Sequence, residues 1–337
     1  MHDVTKSGVM RKVGIYIGRF QPFHMGHASI ICQMVQEGCD HLIILVGSAK
    51  NSRTPKNPWT DAERSIIIKT YIQEEFGGRR ERPGCSVIGI PDFLRDSDWE
   101  EHVQTIVNNL TYQNDKIILY GYDKDLSTAY LRKFPNFEYR SAILKTNINA
   151  TEIRNWYFDE RGHKRPDLPV QTLEFLETFE KTPQYVQLKK EHEFLKQYQK
   201  QFEGLKYPPT FVTVDAVIFN QQGKVCLIRR KEMPGQNQYA LPGGFVDPNM
   251  SLLHSVIQAT KDKTGITLNP DQTFKSTVFD QPGRSLRGRT ITHAFLFKLP
   301  TDSQFDTSRC HWLNVNQLFL YEEEMFEDHK LIIQSML

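Results

Sequence analysis

Residues 18–27, Gly-Arg-Phe-Gln-Pro-Phe-His-Met-Gly-His, constrain this chain more than any other stretch. They sit between the apolar run Val13–Ile17 and an amphipathic segment that begins near Ala28. That placement reads as the junction of a strand, a turn and a helix start. A helix N-terminus presents unpaired N–H groups and the positive end of the helix dipole, which suits a bound phosphate. Gly18 closes the strand, and Gly26 lets a ligand approach the backbone closely. Arg19, His24 and His27 converge on the same spot, and the three-residue spacing lets both histidines face one pocket.

The flanking sequence alternates strand and helix patterns. Ala28, Ile31, Met34 and Val35 recur at helical spacing up to Gly38, and His41–Val46 reads as a buried strand. Thr60-Asp61-Ala62-Glu63 is a capping box for a helix with Ile67, Tyr71 and Ile72 on its apolar face. Cys85–Ile90 is the next strand, and Ser97-Asp98-Trp99-Glu100 is a second capping box before Val103, Ile106, Val107 and Leu110. Lys116–Tyr120 is a strand running into Gly121-Tyr122-Asp123, Leu126–Phe134 a helix and Glu138–Ala142 a strand. Asn149 and Glu152 again have capping-box spacing. Such alternation predicts an α/β domain with a doubly wound, Rossmann-like parallel sheet.

Ligands in such sheets bind at the C-terminal strand edges. Gly121 and Asp123 are therefore candidate substrate contacts, as are Arg53 and Lys56 in the basic loop after the second strand. Trp99 is expected either in the core or stacked on an aromatic ring of the ligand.

The decapeptide resembles the signature of the HxGH nucleotidylyltransferases, most closely the archaeal-type nicotinamide mononucleotide (NMN) adenylyltransferases. Asn149-Ala150-Thr151-Glu152-Ile153-Arg154 resembles that family's second signature, Ser-x-Thr-x-x-Arg, with asparagine in place of serine. Gly47-Ser48-Ala49, Asn57-Pro58-Trp59-Thr60 and Glu63-Arg64 look like its intermediate blocks, although Trp59 stands where phenylalanine is commoner. The resemblance implies attack by the NMN phosphate on the α-phosphorus of ATP, giving NAD and pyrophosphate, with Mg²⁺ entering on ATP. It places His24 and His27 on the triphosphate, Arg19 and Lys56 on phosphates, and Thr151 and Arg154 on the β- and γ-phosphates. Gly18, Phe20 and Gln21 are further substrate contacts. A phosphate monoester is largely dianionic at neutral pH, so no general base is needed. Nicotinate mononucleotide is the nearest alternative substrate, another HxGH transferase the next, and a non-enzymatic nucleotide sensor the alternative of a different class.

A chain of 337 residues exceeds what one core usually holds. The expected division is an adenylyltransferase domain over 1–182, a solvated connector over 183–207 and a second domain over 208–337. The second domain changes to strands, Phe211–Phe219 and Lys224–Arg229 around a turn at Asn220–Gly223, then Tyr239–Val246 and a helix over Ser251–Thr264. It resembles an α+β Nudix fold of the ADP-ribose pyrophosphatase type. A Nudix box gathers acidic side chains on one helix face to hold divalent cations. Anchored at Gly244, the register puts Met250, Gln258, Ala259, Asp262 and Lys263 at the box's key positions. Asp262 is the single remnant of the acidic set, and one carboxylate beside a lysine is a poor divalent-metal site. The expectation is a binding module in which Arg284, Arg287 and Arg289 engage the phosphates of ADP-ribose or NAD. The competing reading is a weak pyrophosphatase using Asp247, Glu322 or Glu327.

With 42 Lys and Arg against 40 Asp and Glu, a net charge of +2 gives no field that would attract nucleic acid or a membrane. No apolar stretch approaches the roughly 18 residues that span a bilayer. Five scattered cysteines without metal spacing favour reduced thiols. The expected setting is cytoplasmic and the expected partners are small nucleotides. Assembly into a homo-oligomer stays open at this level.

Overall fold

The structure, a computed structural model, describes residues 10–78, 82–122, 133–142, 149–159, 166–299 and 309–337. Asp123 and residues 126–132 of the expected helix lie outside that set. The chain forms two compact units, one of residues 1–50 and 56–186, the other of residues 51–55 and 187–337.

In the first unit β1 (Lys12–Gly18), β2 (His41–Val46), β3 (Gly84–Gly89), β4 (Lys116–Gly121) and β5 (Glu138–Ser141) make one sheet in the order β3-β2-β1-β4-β5. Every pairing is parallel. The central strands are apolar along their whole length because both faces are covered. On one face Tyr16, Leu42 and Ile44 pack with α1 (Met25–Gln36) and α2 (Asp61–Phe76). On the other, Val13, Ile15, Ile17, Ile43 and Leu45 meet Val103 and Val107 of α3 (Asp96–Leu110). Each such aliphatic side chain contributes about 1.5–3 kcal/mol when fully buried. The edge strand β5 is polar, and Arg140 on it pairs with Glu37 at 2.9 Å and Glu138 at 2.5 Å. Charge of this kind blunts an open sheet edge.

The order places β1 beside both β2 and β4, so the chain reverses direction across the sheet between β3 and β4. The loops after β1 and β4 diverge there and open a crevice at the C-terminal edge. Gly18 and Gly121 end those two neighbouring strands.

Three local expectations change. α3 starts at Asp96 with Arg95 as its cap residue, and Arg95 Nε holds Asp98 Oδ2 at 2.9 Å. Asp96 and Asp98 in the first turn favour that earlier start by meeting the helix dipole, so Ser97 is not the cap. At α4 (Ala150–Phe158) the Asn149 side chain accepts from Thr151 N at 2.9 Å, and it caps the helix without a reciprocal bond from Glu152. The third change is larger. After α5 (Val170–Phe179) the stretch expected as a solvated connector is an 18-residue helix, α6 (Pro183–Lys200). Its buried positions Leu188, Glu191, His192 and Leu195 follow helical spacing, but two of the four are polar, which hides the period from a hydropathy reading.

The second unit has a mixed sheet in the order β10-β11-β6-β7-β12, with β8 paired to β7 and β9 to β6. The strands are β6 (Thr210–Phe219), β7 (Lys224–Arg229), β8 (Tyr239–Ala240), β9 (Gly243–Phe245), β10 (Thr273–Phe279), β11 (Arg289–Lys298) and β12 (His311–Asn314). Asn220 Oδ1 accepts from Gln222 N and Lys224 N at 3.0 Å each and shapes the β6–β7 turn. α7 (Leu252–Thr264) and α8 (His329–Met336) complete the unit, and α7 stops at Gly265 with φ 79°. No described helix is long and apolar enough to cross a membrane.

Candidate functional site

The turn after β1 is built by its own histidines. His24 is the cap residue of α1, and its Nδ1 accepts from Gly26 N at 3.1 Å. His27 Nδ1 accepts in turn from His24 N at 3.2 Å. The two rings stack at 3.6 Å between centroids. With both Nδ1 atoms accepting, the proton of each neutral ring sits on Nε2, which is left as a donor. Burial pushes His24 down to about 4, and burial together with His24 holds His27 well below the usual range. Both rings are therefore neutral donors at pH 7. Phe20 packs against His27, 1% exposed, with the two ring centroids 4.8 Å apart in an edge-on arrangement. Its φ of 51° is unusual for an aromatic residue, a local strain typical of ligand-binding turns. The ring expected as a substrate contact thus belongs to the core and supports His27.

Arg154 connects α4 to this turn, donating from Nη1 to Gln21 O at 2.7 Å and from Nη2 to Thr151 Oγ1 at 3.0 Å. Gln21 is buried, and its side chain grips the main chain of Trp59 in both directions. Nε2 donates to Trp59 O at 2.8 Å, and Oε1 accepts from Trp59 N at 3.2 Å. Gln21 is therefore a positioning residue that joins two loops. Lys56 lies in the second of those loops, and desolvation lowers its ammonium from the usual lysine range, with Arg19 and Arg154 adding to the effect. Desolvation, again with Arg19, brings Arg154 down to about 10. Arg19, whose side chain is exposed, thus sits within electrostatic reach of both. Three cations drawn to one turn form a site for a polyanion.

Arg64, in the sequence one residue of a family-like block, proves central. Its side chain is 1% exposed and spans four main-chain carbonyls. Nη1 reaches Arg19 O at 2.5 Å and Gly47 O at 2.7 Å, Nη2 reaches Ser48 O at 3.2 Å, and Nε reaches Thr60 O at 3.1 Å. It fastens the turn after β1 to the turn after β2.

The remaining candidates scatter. Gly121 O accepts from Ala142 N and from the Tyr139 hydroxyl, which ties the end of β4 to β5. Trp99 is half-buried and packs on Phe134 at 5.9 Å, as part of the core beneath α3. Arg53 falls in segment 51–55, which groups with the second unit.

The second unit holds a cavity of about 330 Å³ beside β9 and the end of α7. Arg284 and Arg287 line it, and Arg289 does not. Arg284 is 3% exposed at its side chain and makes a two-pronged pair with Asp328 at 2.8 and 2.6 Å. Arg287 lies 3.7 Å from Glu327 and above the ring of Phe245. Arg289 turns away to Asp280, which is why it misses the cavity. Two further cations, Arg230 and Lys263, line the cavity. Arg230 stacks 3.8 Å over Phe326, and Lys263 Nζ donates to Gly243 O. Asp215 is fully enclosed, and burial raises it to about 7 against the pull of Arg284.

Divalent metal is implied by a Nudix fold, and the residues on α7 do not suit it. Asp262 Oδ1 accepts from Gln258 at 2.8 Å and lines a neighbouring groove instead of this cavity. Among the described residues no group of three or more His, Cys, Asp or Glu side chains could hold a metal ion.

A five-stranded parallel sheet with a turn bearing two stacked histidines and a cluster of cations at its point of reversal defines a Rossmann-like α/β domain. Residues 15–160 match the Cytidylyltransferase-like family and residues 209–335 the NUDIX domain. A nicotinamide/nicotinic acid mononucleotide adenylyltransferase of Acinetobacter baylyi is 33% identical over 53% of this chain and 92% of its own length. A nicotinamide-nucleotide adenylyltransferase of Saccharolobus solfataricus is 32% identical over 42% of this chain and 83% of its own. The chain belongs to the nicotinamide-nucleotide adenylyltransferase family. Both relatives cover about half of it. A solved structure of a bifunctional NMN adenylyltransferase/ADP ribose pyrophosphatase from Francisella tularensis covers 97% of this chain and 98% of its own, with 29% identity and a TM-score of 0.85. Another structure of that protein, 28% identical, was determined with AMP and a manganese ion.

Proposed function

We propose that the first unit transfers the adenylyl group of ATP, supplied as its magnesium complex, to NMN. An oxygen of the NMN phosphate bonds to the α-phosphorus, the bond from that phosphorus to the β-bridging oxygen breaks, and pyrophosphate leaves with the electron pair. The nucleophile carries its own negative charge, so the work left to the protein is alignment and charge neutralisation. His24 and His27 donate from Nε2 to the triphosphate, while Arg19, Lys56 and Arg154 hold its charge and Thr151 adds a hydroxyl. The gathering of those three cations at the turn after β1, with Asp92 the carboxylate acting on Lys56, carries the reading, since a polyanion would offset the remaining charge.

The name of the Acinetobacter relative covers both nicotinamide and nicotinic acid mononucleotides, which favours nicotinate mononucleotide as a second acceptor. Incubation with Mg²⁺, ATP and either mononucleotide, with pantetheine phosphate as a control, separates the cases. NAD and pyrophosphate should form with NMN at the higher kcat/KM. Absence of any dinucleotide would leave a nucleotide sensor instead.

The second unit binds a nucleotide of the ADP-ribose or NAD type and does not cleave it. Support comes from the carboxylates that would have to replace the box. Asp247 accepts from Asn249 N within its own turn, and Glu322 is paired with Lys330 at 2.8 Å. Only Glu327 of the three faces the cavity.

A further inference from the structure

Resting on the reading of the second-unit cavity as a nucleotide site, we infer that it binds a diphosphate-bearing nucleotide without a divalent cation, the Lys263 ammonium standing where the metal would.

Lys263 leaves the last turn of α7 and brings Nζ to the carbonyl of Gly243 at the cavity wall. That is its one hydrogen bond among the described residues, and an ammonium has three protons to give. Gly244 has no side chain to cover it, since a Cβ there would lie 3.8 Å from Nζ. Arg230 and Arg287 bring two more cations to the same cavity, each backed by the face of Phe326 or Phe245. A diphosphate needs this density of positive charge. A small divalent ion needs a shell of oxygen ligands, and here the lining carboxylates Asp215, Glu232 and Glu327 are already faced by Arg230, Lys263, Arg284 and Arg287, which repel it.

Glu327 narrows the ligand further. Its side chain is 7% exposed, and Oε1 has no hydrogen-bond partner among the described residues. A buried carboxylate oxygen lacking a donor is matched by a ligand hydroxyl. Diphosphate, hydroxyls and flanking rings together describe a nucleoside diphosphate sugar.

The test is calorimetric titration of the full chain with ADP-ribose, once in EDTA and once in excess Mg²⁺, for the wild type and Lys263→Met. Dissociation constants within about threefold of each other in the two buffers are expected, with binding weakened at least tenfold by Lys263→Met. Binding that appears only with Mg²⁺, or tightens more than tenfold with it, overturns the inference and leaves the cavity a nucleotide site. Wild-type affinity retained by Lys263→Met in EDTA removes the ammonium from the role. No binding in either buffer overturns the nucleotide reading and the inference together.

Discussion

Arg154 Nη1 donates to the main-chain carbonyl of Gln21 at 2.7 Å, so a helix that follows the last strand of the sheet is fixed to the turn that follows its first. The guanidinium thereby both shapes the turn and adds charge to it. Arg154→Ala is expected to lower kcat/KM for ATP at least tenfold, or about 1.4 kcal/mol. Arg154→Lys should fall between, because lysine keeps the charge and loses the two-pronged reach. Steady-state kinetics with ATP varied decides it, and an unchanged constant for the alanine variant would remove Arg154 from the site.

His24 makes the stability of the first unit depend on pH. Its folded value near 4 lies below the usual 6.5, so the unfolded chain binds more protons between those limits. The contribution is fully present above pH 6.5 and is lost as pH falls toward 4, about 3 kcal/mol in all. His24→Asn keeps a capping acceptor and removes the titration. Denaturant unfolding at pH 7, 6 and 5 should show the wild type losing stability more steeply than the variant.

Arg64 supplies a different kind of test, because its buried side chain satisfies main-chain carbonyls. Lysine cannot span four acceptors in two turns. Arg64→Lys is expected to cost about 2 kcal/mol, a drop of roughly 5 °C in the melting temperature of the first unit. A melting temperature within 1 °C of wild type, on the order of a few tenths of a kcal/mol, would count against the bracing role.

In the second unit, incubation of the full chain with ADP-ribose and Mg²⁺ should release no AMP and ribose 5-phosphate above background. Turnover of about 1 s⁻¹ or faster would mean that carboxylates outside the box do the chemistry. Lys263→Glu alone is expected to restore nothing, since Met250, Gln258 and Ala259 still supply no oxygen anion.

The parts that were legible in the sequence are those written in one stretch. Gly18–His27 and Asn149–Arg154 each carry their geometry locally, in a strand end and a helix start, and the strand alternation gave the parallel sheet. What escaped depends on residues far apart. Arg64 draws its acceptors from Arg19, Gly47, Ser48 and Thr60, and no spacing rule announces that set. The reciprocal histidine cap escaped because serine, threonine, asparagine and aspartate are the usual cap residues. α6 was hidden by Glu191 and His192, polar side chains at buried positions, where Glu191 accepts from Gly235 N at 3.2 Å.

A cation carried on a side chain behaves unlike one drawn from solution. Lys263 cannot be chelated, exchanged for another metal or diluted away, and it is present at one per chain under every ionic condition. Occupancy of the second unit would then track the level of its nucleotide alone, untouched by swings in free magnesium. Where a metal-dependent site reports the product of two concentrations, this one would report a single concentration.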